Sequence, residues 1–205
     1  MSPRPIRILL AEDQSMVREA LAALLGLEPD IEVLAQVARG DEVVEAARVH
    51  DVNVALLDIE MPGMTGIEAA AALRSAFPAI RIVILTTFGR PGYLRGAMEA
   101  GASAFLVKDA PAAQLADAVR RALAGERVID PTLAAAALAE GANPLTDRER
   151  EVLRAAESGA TNAELAARLH LSPGTVRNYL STAIQKLAAR NRAEAVRAAR
   201  EKGWL

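Results

Sequence analysis

Three carboxylates, a threonine and a lysine stand where short apolar runs stop. Glu12 and Asp13 follow the run Ile6 to Ala11, Asp58 closes Val52 to Leu57, Thr86 follows Ile80 to Leu85, and Lys108 follows Ala104 to Val107. Carboxylates brought together repel one another unless a cation joins them. An all-oxygen ligand set favours a hard ion such as Mg²⁺, which prefers octahedral geometry and keeps some waters. A fixed lysine charge beside such an ion would neutralise a phosphoryl group arriving at a carboxylate and stabilise its transfer. Asp58 is the natural acceptor, since it lies between the acidic pair and Lys108. Any one of these acids alone would read as a helix N-cap; the reading rests on the whole set.

A second constellation lies beyond residue 160. Asn162 to His170 has the length of a short helix, Leu171-Ser172-Pro173-Gly174 is a turn, and Thr175 to Leu187 is a second helix. This is helix-turn-helix spacing. Val176, Leu180, Ala183, Ile184 and Leu187 make one apolar stripe. Arg177, Asn178, Ser181 and Gln185 line the opposite side. Such a face suits a DNA major groove, where Arg pairs with guanine and Asn or Gln with adenine. Thr175, Thr182, Lys186 and Arg192 are placed to reach phosphates.

The elements that must position these residues follow from periodicity. Through residue 124, apolar runs of strand length alternate five times with segments of helical spacing. Strands apolar nearly throughout belong to a parallel sheet covered on both faces. The expected fold is α/β: a five-stranded doubly wound parallel sheet, flavodoxin-like, with its site beyond the carboxyl ends of the strands. An all-α four-helix helix-turn-helix domain follows. The expected division is 1–125 for the α/β domain, 126–142 for a linker with a short helix, and 143–205 for the helical domain.

Composition fits two domains with different partners. The formal charge is −2 over 205 residues, but residues 1–144 hold 13 Lys+Arg against 19 Asp+Glu, and residues 145–205 hold 11 against 7. A basic second domain suits a polyanion. There is no cysteine, which excludes disulfides and thiolate metal sites. The longest uncharged stretch, Pro131 to Ala139, is far short of the ~20 apolar residues of a membrane span. With no signal-peptide core, a cytoplasmic location is expected. His50 and His170, the only histidines, do not suggest a metal pair.

The residues Glu12-Asp13, the run Asp58-Ile59-Glu60-Met61-Pro62-Gly63-Met64-Thr65-Gly66, Thr86 and Lys108 resemble the receiver domain of bacterial two-component response regulators. The resemblance covers about residues 5–125. It implies that Asp58 is the phosphoacceptor. Mg²⁺ would be bound by Asp13 directly, by Glu12 through water, by Asp58, and by the backbone carbonyl of Glu60. Thr86 would hydrogen-bond the phosphoryl group, Lys108 would pair with it, and Phe105 would be the aromatic switch that turns inward. Receivers often carry Tyr where Phe105 stands and Asp-Asp where Glu12-Asp13 stands.

The stretches Pro144 to Leu153, Gly159 to Ala166 and Ser172 to Tyr179 resemble the LuxR-type four-helix DNA-binding domain, over about residues 143–205. Family members commonly have His where Tyr179 stands. Together the two resemblances point to the NarL/FixJ class of response regulator. Such a protein is not an enzyme beyond phosphorylation of its own aspartate. It is a transcriptional regulator whose phosphorylation by a sensor histidine kinase promotes homodimerisation and binding to double-stranded promoter DNA. Within the class, Ala142 to Glu149, Thr175 to Tyr179 and the ending Glu201 to Trp204 are most like a regulator of lipid desaturation, which implies a membrane-bound kinase. The expected dimer contacts are Val17 and Leu24 on the first helix, Leu115 and Val119 on the fifth, and Val196 on the last, with the face from the fourth helix to the fifth strand as the alternative on the receiver.

Two other readings share parts of this pattern. A phosphatase or phosphotransfer enzyme with a helical appendage is one, although the haloacid-dehalogenase type wants Asp where Glu60 stands. A constitutive DNA-binding protein with an inert receiver is the other.

Overall fold

Strands without a polar face need cover on both sides, and the computed structural model, which describes residues 5–87, 89–109 and 111–205, supplies it. The strands are β1 (Ile6–Ala11), β2 (Ile31–Val37), β3 (Val54–Asp58), β4 (Arg81–Thr86), β5 (Ala104–Val107) and β6 (Val128–Ile129). They form one sheet in the order β2-β1-β3-β4-β5-β6, parallel throughout. The helices of this unit are α1 (Ser15–Leu25), α2 (Val43–Val49), α3 (Gly66–Ala76), α4 (Pro91–Glu99) and α5 (Ala112–Leu123). Ile8, Leu10, Val54, Leu56, Val83 and Leu85 pack with α1 and α5. The alternate residues Leu9, Leu57 and Ile84 are equally buried on the opposite face, where α2 and α3 pack.

The expected doubly wound sheet is present as β1–β5, and a sixth strand extends it. β6 pairs with β5 through Ala104↔Val128 and Phe105↔Ile129. Two residues are too few to show a period of two, so no pattern could announce this strand.

The packing of α5 corrects one expectation. Leu115 and Val119 are 5% and 0% exposed, inside the core between α5 and the sheet. The apolar stripe of α5 is what covers this side of the sheet, so it offers nothing to a second copy. Exposed apolar side chains of this unit gather on and just beyond α1, at Met16, Leu24 and Leu27, with Val49 exposed separately at the end of α2 and Val17 half-buried.

Beyond β6 lies α6 (Pro131–Glu140), where a short linker helix was expected. The Asp130 carboxylate accepts the N–H groups of Thr132 and Leu133 and so caps it. The chain divides into two compact units within α6, between Ala135 and Ala136, and the start of α4, up to Tyr93, groups with the second unit.

The second unit has the four expected helices: α7 (Asp147–Ala156), α8 (Asn162–Leu169), α9 (Pro173–Lys186) and α10 (Arg192–Glu201). Its core includes Val152, Leu153, Leu165, Val176, Leu180 and Trp204. Thr146 and Thr161 close capping boxes on α7 and α8, with Glu149 and Glu164 as reciprocal partners. Ser172 caps α9, and Pro173 takes the first helical position. The chain leaves α8 through His170, a non-glycine residue in the left-handed region at φ 54°. Val196 is half-buried against this same core and Ala199 is fully buried in it.

Candidate functional site

The carboxyl ends of β1, β3, β4 and β5 bring the sequence-identified residues to one edge of the sheet. Glu12 and Asp13 leave β1, and Asp58 ends β3, the next strand. One carboxylate oxygen from each of the three lies within 4.8 Å of the others. Glu12 and Asp58 are buried, whereas Asp13 is exposed. Lys108 Nζ reaches in at 2.6 Å from Glu12 Oε2 and 3.1 Å from Asp58 Oδ2. The other Asp58 oxygen, Oδ1, accepts the Ile59 N–H at 2.8 Å.

The charges at this edge are not fully balanced. Burial raises the Asp58 carboxyl, and the nearby Glu12 charge adds to the rise. Lys108 opposes both without overcoming them, and the pKa stands at about 6. Burial works against the charge on Lys108, but Glu12 and Asp58 outweigh it and raise its pKa. Two buried carboxylates thus share one ammonium while a third faces solvent beside them. The three carboxylates make an all-oxygen donor set that fits a hard divalent cation.

The backbone around Asp58 depends on one glycine. Thr65 caps α3 through a capping box with Glu68, and Gly66 begins the helix against the end of β3. The Gly66 N–H donates to the Ile59 carbonyl at 2.9 Å. A Cβ at Gly66 would lie 1.8 Å from the Asp58 carbonyl oxygen. No side chain fits there, so α3 starts directly on Asp58.

Thr86 ends β4 and is buried, and its carbonyl accepts the Lys108 N–H at 2.8 Å. Phe105 lies on β5 with 0% exposure, in register with Ile84 on one side and Ile129 on the other. Its ring is therefore inward. Glu60 is exposed two residues after Asp58.

Arg18 is a site residue that the sequence did not reveal. From the first turns of α1, its Nη1 donates to the Glu12 carbonyl at 2.6 Å and reaches the Asp13 carbonyl at 3.5 Å. It holds the backbone of the acidic pair. An arginine on an exposed helix carries no such signal by itself.

In the helical unit, α9 presents Arg177, Asn178, Ser181 and Gln185 to solvent. A hollow of about 380 Å³ opens beside this face, lined by Arg177, Ser181 and Gln185 together with Asn162 of α8 and Arg192 of α10. The other expected contacts are already engaged. The Thr175 and Ser172 hydroxyls lie 2.8 Å apart. The Thr182 hydroxyl donates to the Asn178 carbonyl in its own helix. Lys186 Nζ pairs with Glu149 Oε2 at 2.7 Å. Arg192 donates to the Ala160 carbonyl at 2.6 Å and to that of Gly159 at 3.3 Å. Half of the Glu149–Lys186 pair was legible, since Thr146-x-x-Glu149 is a capping-box pattern; its lysine partner lies 37 residues away.

No helix among the described residues is long and apolar enough to cross a membrane.

Known proteins share both halves. Residues 8–120 match the response regulator receiver domain family, and residues 143–199 match the luxR family of bacterial regulatory proteins. The transcriptional regulatory protein DesR of Bacillus subtilis is 45% identical over 200 residues, covering 98% of this chain and 99% of DesR. An uncharacterized transcriptional regulatory protein of the same organism, YvfU, is also 45% identical, covering 98% of this chain and all of its own. Among solved structures, the response regulator ChrA of a heme-sensing two-component system is 34% identical, with a TM-score of 0.58, covering 99% of this chain and 100% of ChrA. The chain belongs to the response regulators that join a receiver domain to a LuxR-family DNA-binding domain, and it is a phosphorylation-dependent regulator of transcription.

Proposed function

We propose that Asp58 accepts a phosphoryl group from the phosphohistidine of a sensor histidine kinase, and that this event controls dimerisation and promoter binding. The Asp58 carboxylate forms the new P–O bond as the P–N bond to the histidine breaks. The leaving electron pair stays on the imidazole, which takes up a proton. With a pKa of about 6, Asp58 is mostly ionised at neutral pH and available as the nucleophile. Mg²⁺ held by Glu12, Asp13, Asp58 and the Glu60 carbonyl would supply the charge neutralisation that the transferring phosphoryl group needs. Lys108 already lies 3.1 Å from Asp58 and pairs with the phosphoryl oxygens after transfer. The Thr86 hydroxyl donates to the same group. Phe105, inward on β5, would extend into the space that Thr86 vacates.

The observation that carries this reading is the convergence of Glu12, Asp13, Asp58 and Lys108 on one sheet edge. Incubation with acetyl phosphate and Mg²⁺ tests it. A stable mass increase of one phosphoryl group is expected in the native chain and none in Asp58→Ala. Continuous turnover of a phosphate ester, or equal labelling of Asp58→Ala, would refute it.

The same reading assigns residues 1–125 to the receiver, 126–142 to the linker and 143–205 to the DNA-binding domain. Arg177, Asn178, Ser181 and Gln185 read base edges, with Thr175 and Arg192 beside the backbone. The dimer surface is the exposed apolar side of α1, Val17 and Leu24 together with Met16 and Leu27, with Val196 contributing from the helical unit. The protein acts in the cytoplasm, with a membrane-bound kinase as its donor.

A further inference from the structure

The helix α9 carries two cations, and the fold uses them differently. Arg177 near its start is exposed and has no acidic partner among the described residues. Lys186 at its end points back to α7, where its Nζ lies 2.7 Å from Glu149 Oε2. Glu149 is only 4% exposed. The same Oε2 accepts the Thr146 N–H at 2.7 Å, while the Glu149 N–H donates to Thr146 Oγ1. A single carboxylate oxygen therefore closes the N-terminal cap of α7 and receives the C-terminal lysine of α9. Each charge also sits at the helix end whose dipole favours it.

We propose that Glu149 and Lys186 are a positioning pair for DNA reading: Lys186 is the internal counterion of Glu149, makes no phosphate contact, and with it sets the rotation and height of α9 on α7. Apolar packing alone leaves these two coordinates loosely defined. α7 and α9 meet through Val152, Leu153, Val176, Leu180 and Ala183, and such contacts are non-directional. The pair is directional and joins opposite ends of the two helices. Lys186 cannot be given up cheaply to DNA, because that would leave Glu149 buried with only the cap amides beside it. A phosphate drawn to Lys186 would also bring a second anion alongside Glu149. The pair thus fixes where Arg177, Asn178, Ser181 and Gln185 stand without touching what they read. This rests on α9 being the groove-reading helix.

The test uses the full-length chain activated with beryllofluoride and Mg²⁺. The probes are the duplex it selects from a random-sequence pool and a scrambled duplex of equal length, titrated across a range of salt. Glu149→Gln keeps the capping box, which Gln can also close, and removes the charge. It should weaken binding to the selected duplex roughly fivefold, as expected for breaking one coupled pair. Scrambled-duplex binding and the slope of log K against log salt should not move. Lys186→Met should do the same, and the double variant should be no worse than either single one, because one device is lost only once. A phosphate-contacting Lys186 gives the opposite pattern. Lys186→Met would then flatten the salt slope by ~0.9 and weaken both duplexes alike, and Glu149→Gln would tighten both. Either that pattern or unchanged selected-duplex affinity in both single variants overturns the proposal. Thermal melts confirm that each variant is folded at the assay temperature, and Lys186→Met decides the matter alone if Glu149→Gln does not fold. Arg177→Ala separates the two levels. If it too is silent, the groove-reading role of α9 falls and the pair's role with it; if only Arg177→Ala has an effect, the pair alone is refuted.

Discussion

Gly66→Ala is a small substitution with a large expected consequence. The new Cβ would lie 1.8 Å from the Asp58 carbonyl oxygen, 2.8 Å from its carbonyl carbon and 3.2 Å from Ile59 Cα. All three are backbone atoms, so no flexible side chain can swing away. Restoring ordinary van der Waals contact means moving the start of α3 and the end of β3 apart by roughly 1.5 Å, a strain in the ~1–3 kcal/mol range of overpacked cores and toward its upper end. The displaced backbone carries the acceptor, and a misplacement of ~1 Å can cost ~100-fold in rate. Gly96→Ala, in α4, is the matched control. Its Cβ would meet only Ile67 side-chain atoms, at 3.5 Å and beyond, so helix propensity should leave it neutral or stabilised by up to ~1 kcal/mol. Hydrogen exchange of the β3 amides reads the stability of the sheet unit separately from the helical one. The time course of mass increase with acetyl phosphate reads the chemistry. Faster β3 exchange and slow phosphorylation are expected in Gly66→Ala alone. If both glycine variants exchanged and phosphorylated like the native chain, α3 would not be seated on Asp58 as described.

Other consequences follow from the charges. Mg²⁺ should raise the melting temperature of the sheet unit, and Asp13→Asn should abolish most of that rise, as read by scanning calorimetry with and without the ion. Arg177→Ala and Asn178→Ala should each weaken specific DNA binding by ~1–3 kcal/mol while leaving the acetyl phosphate mass increase intact. At Glu149 burial raises the pKa, but Lys186 and the Thr146 cap outweigh it, and the net shift is downward from 4.5. Its stabilising contribution is therefore present above pH 4.5 and is lost as pH falls through the lower folded-state value. Urea unfolding of the helical unit, followed by the fluorescence of buried Trp204, should lose stability over that window in the native chain and less in Glu149→Gln. His170→Gly should relieve the left-handed strain at the end of α8 and raise the stability of the helical unit by a few tenths of a kcal/mol up to ~1, since glycine's greater freedom when unfolded offsets part of the gain.

What could be read in advance divides along physical lines. Continuous apolar runs such as Val54 to Leu57 can be satisfied only by a sheet covered on both faces, so the doubly wound parallel sheet and the carboxyl-edge site followed from local pattern and topology rules. Contacts set by packing at long range could not follow. Val128 and Ile129 become a strand only because Ala104 and Phe105 are there to pair with them. Leu115 and Val119 form a stripe whose spacing is the same whether it meets the sheet or a second copy; the burial of Ile8, Val54 and Val83 beneath it decides between them. Arg18 and Lys186 look alike as exposed helical cations. One grips the backbone behind Asp13 and the other a carboxylate on another helix, and only the fold distinguishes them.

The basic excess of residues 145–205 also changes meaning once its partners are known. Beyond the Lys186–Glu149 pair, Arg148 pairs with Glu151, Arg150 with Asp147, Arg190 with Glu194 and Arg200 with Glu157. Much of the formal positive charge is therefore paired inside the helical unit, and Arg177 is the cation of α9 with no acidic partner among the described residues. A single domain of this kind releases few counterions and holds DNA weakly at physiological salt. Two joined copies convert the second half-site into an intramolecular event whose effective concentration is set by the linkage between them. On the proposed function, weak single-domain binding is what would let a phosphoryl group on Asp58, in a separate unit of the chain, control occupancy of DNA. Adding cations to the outer face of α9 would raise affinity for any sequence and erode that control, and the prediction is read directly. Ser181→Arg should bind scrambled duplex more tightly with a steeper salt slope, and the ratio of affinities with and without beryllofluoride should fall. An unchanged ratio would mean that dimerisation is not where phosphorylation acts.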